Sequence, residues 1–325
     1  LAGLGICGPF SSNAWGSGGH PSAPANDLIV INIMAQGGWD TTCLTDPKGG
    51  NYVTGSGEDR GRINRLYEEG DIENAGNIRY APLNQENLFG NRYNFSYSSQ
   101  HFFQKYYHNL LVINGIDMQT GNHRSATDLA WAGREARFYP ALAALHASAD
   151  SEEKALSYIS YGSYDETANL IRPSRIPDAS KLASLGQIHK FSGNEKLLHS
   201  NESFDRIKAA MLSRLERLHG KTSMPRTRQA ISSLHSAYLG TGELKTLNQY
   251  LDPDLDSLPR LAQQAKVVGA ACAAGICRSA NIVQGGFDTH TEHDTRQPTR
   301  LLQLLYSTDI LLEEAARFGF LDRLV

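Results

Sequence analysis

The chain opens into a run of apolar, β-branched residues, Asp27-Leu28-Ile29-Val30-Ile31-Asn32-Ile33-Met34, that stops at Gly37-Gly38. A continuous apolar run of this length, closed by glycine, predicts a strand covered on both faces. Asn109-Leu110-Leu111-Val112-Ile113-Asn114 predicts a second buried strand, leading through Gly115 to Gly121 into a helix near Ser125. Leu156 to Tyr161 predicts a third. Ala280-Asn281-Ile282-Val283-Gln284 predicts another, ending at Gly285-Gly286. Between them the pattern turns helical. Phe204, Ile207, Met211, Leu215 and Leu218 keep the period of one helix face. Pro225 opens a further helix that ends near Gly240-Thr241-Gly242, and another runs from about Leu258 to Cys277. Pro298 starts a long helix to about Phe318, with Leu301, Leu302, Leu305, Ile310 and Leu311 on its apolar side. Leu321 to Val325 reads as the lead into one more strand. Strands alternating with helices predict an α/β fold, with a mostly parallel sheet flanked by helices on both faces.

The remaining segments are less regular. Residues 45–108 hold no sustained period and read as an insertion-like excursion; residues 202–277 form a helical segment. The aromatic stretch Tyr93 to Tyr107 fits packing of that excursion onto the body, or else a contact surface for a ligand or partner. Leu1 to Phe10 is apolar and glycine-rich, and Ser11 to Pro24 is a Gly/Ser/Pro spacer. Residues 1–26 thus read as the tail of an export signal and a linker before one domain over 27–325, an ordinary buried N-terminal segment being the other reading.

Composition narrows the function classes. With 40% hydrophobic and 20% charged residues, the chain is of globular composition. A formal net charge of -3 gives no broad attraction for a polyanion, so no nucleic-acid partner is expected. No apolar run is long enough to span a bilayer. Cys7, Cys43, Cys272 and Cys277 form no CxxC pair or zinc-finger spacing, and read as small buried apolar residues. Cys272 and Cys277 are expected on different sides of one helix. Glu152, Glu153, Glu313 and Glu314 read as solvated helix faces.

The chemistry concentrates in two matched loops, Gly37-Gly38-Trp39-Asp40-Thr41 and Gly285-Gly286-Phe287-Asp288-Thr289-His290. Each follows an apolar strand, and ligands of α/β sheets bind beyond the carboxyl ends of the strands. Asp40, Asp288, His290 and the nearby His293 offer carboxylate and imidazole donors, a set that suits Zn, Mn or Fe better than Ca or Mg. An Asx-turn with an exposed histidine fits Asp288 and His290 equally. A second candidate lies at Gly121-Asn122-His123-Arg124-Ser125, between a strand and a helix. Backbone N–H groups there favour an anion. Ser125 is a candidate nucleophile, Arg124 a clamp for an oxyanion, and His123 a ligand or acid/base; a plain N-cap by Ser125 or Asn122 is the alternative. Gly55-Ser56-Gly57 lacks the strand–turn–helix setting of a nucleotide site.

The Gly-Gly-Phe-Asp-Thr-His segment after a strand, the long helix behind it and the early strand ending in Gly-Gly resemble the exported bacterial domain-of-unknown-function family numbered 1501. That family is part of the alkaline-phosphatase-like superfamily, which also holds sulfatases and phosphoglycerate mutases. The resemblance covers about Asp27 to Val325. It implies an alkaline-phosphatase-like domain with a two-metal site at the sheet's carboxyl edge, Asp40 matching the first-strand Asp, and Asp288 and His290 the later Asp and His. In the sulfatase-like branch the nucleophile stands ten residues before a glycine; counting back from Gly133 gives His123. Either Ser125 takes over from a shifted position, or this branch has no covalent nucleophile. The family continues with an acidic-Phe-Gly-Arg segment and a later Asp-His, so the resemblance implies a domain incomplete at its C-terminus. It further implies twin-arginine export to the periplasm or cell surface, and hydrolysis of small anionic phosphate or sulfate esters. A non-catalytic binding or assembly protein with a protein partner, on a degenerate version of the fold, is the alternative.

Overall fold

The structure, a computed structural model, describes residues 3–6, 28–50, 53–54, 61–89, 95–135, 138–149, 154–176, 200–225 and 255–325, with isolated positions between 227 and 252. The helix predicted from Pro225 to Gly242 lies mostly outside the described residues, as do Cys7, Glu152, Glu153, Gly55-Ser56-Gly57 and the spacer of residues 11–24.

The core is a four-stranded parallel sheet of β1 (Val30–Ala35), β2 (Tyr158–Ser160), β3 (Pro173–Arg175) and β4 (Ser279–Gln284), in the spatial order β3-β2-β4-β1. Among the described residues, the helices are α1 (Ser99–Tyr106), α2 (His123–Ala132), α3 (Leu142–Ser148), α4 (Asn201–Lys221), α5 (Arg260–Ala273) and α6 (His293–Arg317). Alternating side chains explain why the sheet is covered twice. Ile31, Ile159, Ala280 and Ile282 point to one face and pack with α5 and α6, where Ala262, Ala265, Leu301 and Leu305 are buried. Met34, Tyr158 and Val283 point to the other face and meet Trp131 of α2 and Ala143, Ala144 and Ala147 of α3. The alanines let α3 sit close to the sheet. The expected α/β layering with a parallel sheet is therefore present, and no helix among the described residues is long and apolar enough to cross a membrane.

The free edge of β1 is met by the last residues of the sequence. Ile29 and Leu324 form a parallel bridge, with Ile29 N donating to Arg323 O at 2.8 Å and Val325 N to Ile29 O at 2.8 Å. Leu321–Arg323 is a short 3-10 turn before that bridge.

Four expectations need correction. Leu110–Ile113 is a strand, but it pairs antiparallel with Gly3–Ile6 and stands outside the parallel sheet. Its apolar residues alternate, Leu111 and Ile113 being about half exposed, because only one face meets the body. The long helix α6 begins at His293, not Pro298. The left-handed Glu292 (φ 54°) turns the chain into it, and Pro298 sits inside, where it removes one backbone donor. Cys277 lies beyond α5, in the turn after Gly275, and is buried and unbridged like Cys43 and Cys272. Glu314 is buried rather than solvated, because α5 and α6 pack there and Lys266 Nζ meets its carboxylate at 2.6 Å. Glu313 does face solvent.

The excursion packs inward through its aromatic residues. Phe102 and Phe103 are fully buried, and Tyr97 and Tyr106 nearly so. Both tyrosine hydroxyls donate to the buried carboxylate of Asp309 on α6, at 2.8 and 2.6 Å, and Lys105 Nζ reaches it at 2.8 Å. Burial and that carboxylate push both phenols above their ordinary range. The described part of this stretch is a clamp on α6, not an exposed aromatic surface.

Candidate metal centre

Because β1 and β4 are neighbours in register, from Ser279 opposite Val30 to Gln284 opposite Ala35, their loops leave the sheet side by side. The ladder extends one step further: Gln36 N donates to Gln284 O at 2.8 Å and Phe287 N to Gln36 O at 3.3 Å. Gly37 then adopts φ +121°, and a Cβ there would stand 2.5 Å from the Asp288 backbone nitrogen. Only glycine permits both the conformation and the contact. Trp39 and Phe287 bury their rings in the core, so each pins its loop and leaves the next residue, Asp40 or Asp288, at the sheet edge. This is the physical content of the Gly-Gly-aromatic-Asp pattern.

Asp40 is held tightly. Its Oδ1 accepts from Thr42 N at 2.9 Å and Thr42 Oγ1 at 2.7 Å, and its Oδ2 lies 2.9 Å from His293 Nε2. Burial opposes its ionisation, but these bonds outweigh burial and hold the carboxyl below its usual range. His293 Nδ1 in turn meets Thr289 Oγ1 at 2.8 Å. Gln297, buried on α6, joins the two loops: its Oε1 accepts from Asp40 N at 3.2 Å, and its Nε2 donates to Phe287 O at 2.7 Å and Thr289 Oγ1 at 3.1 Å.

The second cluster forms around Asp288, whose Oδ2 lies 3.0 Å from His290 Nε2 and 3.2 Å from His123 Nε2. His123 is the first residue of α2, so it reaches the edge from the other side of the sheet. The cap of α2 is Asn122, whose Oδ1 accepts from Arg124 N at 2.9 Å and Ser125 N at 3.1 Å. Arg124 is exposed. Ser125 donates its hydroxyl to Glu135. Of the residues singled out from the sequence, Asp40 therefore meets His293, and Asp288 meets His290 and His123. Ser125 is turned to a different partner.

Two site residues were not foreseen. Cys43 is buried, and its Sγ, an Asp40 carboxylate oxygen and a His293 ring nitrogen lie within 4.8 Å of one another. Burial and the Asp40 charge push its thiol up. The spacing carried a signal: Asp40 and Cys43 are three residues apart, and side chains at that separation eclipse on the 3-10 turn Thr41–Cys43. Gln297 carried none, since its role depends on α6 crossing both loops. The carboxylate, imidazole and thiol donors of this group fit a divalent transition metal ion. Compared with protein-family models, with curated proteins and with solved structures, the chain has no match.

Proposed function

We propose that the protein is a metal-dependent hydrolase of small phosphate or sulfate esters, organised on the alkaline-phosphatase-like plan. One observation carries the reading: the two Gly-Gly-aromatic-Asp-Thr loops abut, setting Asp40 with His293 and Asp288 with His290 along one sheet edge. Asp40 and His293 would hold one divalent ion, Asp288 and His290 another. Such an ion polarises an ester oxygen and lowers the pKa of the attacking group.

The chain's own groups supply the rest. His123 Nε2, beside Asp288, is placed to take a proton from an attacking water or return one to the leaving oxygen. Its carboxylate neighbour orients the ring and stabilises the imidazolium. Ser125 is engaged by Glu135, so attack is assigned to water rather than to a covalent serine. Arg124, at the N-terminus of α2, adds positive charge for an anionic ester. Export to the periplasm or cell surface belongs to the same proposal and rests on the apolar, glycine-rich composition of Leu1 to Phe10, within which Gly3–Ile6 pairs with Leu110–Ile113.

A second reading is favoured by His123 standing at the counted nucleophile position while Ser125 is engaged elsewhere. In that reading the centre binds a metal and an anion without turnover. Elemental analysis of the purified protein and its Asp288→Ala variant, together with assays on aryl phosphates and aryl sulfates, decides the matter. Stoichiometric metal with turnover supports the hydrolase. Metal without turnover supports the binding protein, and no stoichiometric metal sinks both.

A further inference from the structure

We propose that Cys43 is a direct metal ligand, the third after Asp40 and His293, and that it commits this half of the centre to a zinc-class ion. The inference rests on the metal reading above and names the ion class of that site.

The geometry comes first. The three donor atoms lie within 4.8 Å of one another, and the Asp40 and His293 atoms are 2.9 Å apart. Around an ion with bonds of roughly 2.0–2.3 Å, tetrahedral donors stand about 3.3–3.7 Å apart. The sulfur therefore closes on the other two donors by about an ångström at most, a movement within reach of a side-chain rotation. Three protein donors of mixed type leave a fourth position for a substrate oxygen, the pattern of catalytic rather than structural zinc.

The surroundings of the sulfur are the independent observation. Asn64, itself buried, directs its Nδ2–H at Cys43 Sγ at 3.8 Å and at Thr42 O at 3.4 Å. Its Oδ1 is fixed by Leu66 N at 2.7 Å, so the amide cannot turn its oxygen to the sulfur without losing that bond. That contact, with Asn64 held by Leu66 N, keeps the sulfur on the turn that faces Asp40 and His293. Tyr67 braces the same turn, its hydroxyl donating to Thr42 O while accepting from Lys48 N. The insertion-like excursion thus supplies the support behind the cysteine.

Binding balances simply. The thiol gives its proton to solvent as the sulfur–metal bond forms, and His293 binds through Nε2 with its ring proton on Nδ1, donated to Thr289 Oγ1. A thiolate selects Zn(II), Co(II) or Fe(II) over Mg(II), Ca(II) and Mn(II).

The test is spectroscopic. Chelator-stripped full-length protein is titrated with Co(II), and the near-ultraviolet thiolate-to-cobalt charge-transfer band is recorded. Wild type shows the band, Zn(II) abolishes it, and excess Mg(II) or Ca(II) does not. Cys43→Ser and Cys43→Ala lack the band and bind Co(II) at least about tenfold more weakly, since even outer-shell partners cost that much. Asp288→Ala, in the other cluster, keeps the band. Denaturation of the metal-free variants separates loss of a ligand from loss of the fold. Wild type that binds Co(II) without the band, or a band that survives in Cys43→Ala, overturns the proposal. Wild type that binds no Co(II) removes the metal reading itself.

Discussion

Substituting Gly37 by alanine tests whether the two loops form one unit. Gly37 has φ +121°, and an added methyl would lie 2.5 Å from Asp288 N, 3.0 Å from Phe287 C and 3.2 Å from Asp288 Cβ. Two of these atoms are backbone and cannot move aside like the end of a flexible side chain. The conformational strain is about 1–3 kcal/mol, and the forced contact adds about 1–3 kcal/mol. Gly38 is the internal control. It has φ +85°, yet a methyl there meets nothing within 4 Å, so Gly38→Ala bears the strain alone. The change in unfolded-chain entropy is common to both variants and cancels. Gly37→Ala is therefore expected to be less stable than Gly38→Ala by about 1–3 kcal/mol, read from urea midpoints at equal slope. It also weakens metal binding, because the Asp288 backbone has to shift. Equal stability of the two variants, or a more stable Gly37→Ala, would refute the abutting loops and the shared site built on them.

Other outcomes follow from the same contacts. Gln297→Ala removes the partner of Asp40 N, Phe287 O and Thr289 Oγ1. It should cost about 2–4 kcal/mol in denaturation and lower metal affinity roughly 10–100-fold by calorimetric titration; unchanged affinity would reduce Gln297 to a packing residue. Asp309→Ala leaves two buried tyrosine hydroxyls without their acceptor and Lys105 with Glu313 alone, at a cost of about 2–4 kcal/mol. A loss under about 1 kcal/mol would show that the clamp between α1 and α6 is not held by this carboxylate. The pH test uses metal-free protein. Hydrogen bonds from Thr42 and His293 hold the folded Asp40 carboxyl below the usual carboxylate range, so its contribution is complete above that range and is lost as pH falls through the folded pKa. The stability gap between wild type and Asp40→Asn should then hold steady at neutral pH and close in acid. A gap that widens in acid contradicts the sign.

Local pattern carried much of this molecule. The apolar runs behind β1 and β4 announced buried strands because a two-sided burial demand acts on every residue of a short segment. The 3.6 period over Phe204 to Leu218 likewise marked α4, observed at Asn201–Lys221. The glycine pairs marked sharp exits from the strands, and the Asp and His residues beside them marked chemistry. Spacing even placed Cys43 on the side of Asp40, although its apolar character masked that.

What the tertiary structure alone decided was partnership. Nothing local to Leu110–Ile113 tells whether it joins the parallel sheet or pairs with Gly3–Ile6, since strand pairing is chosen by distant surfaces competing for the same apolar edge. Pro298 looked like a helix start because proline fits there, while the turn that sets the start is a left-handed Glu292. The two loops lie about 250 residues apart in sequence, and only the order β3-β2-β4-β1 sets them side by side. His123 against Asp288, Gln297 across both loops and Asn64 behind Cys43 all follow from that order. A sequence fixes the period and the face of each element through local dihedral preference; which faces meet is settled by burial summed over the whole chain, and the grouping of Asp40, Cys43 and His293 exists only at that level.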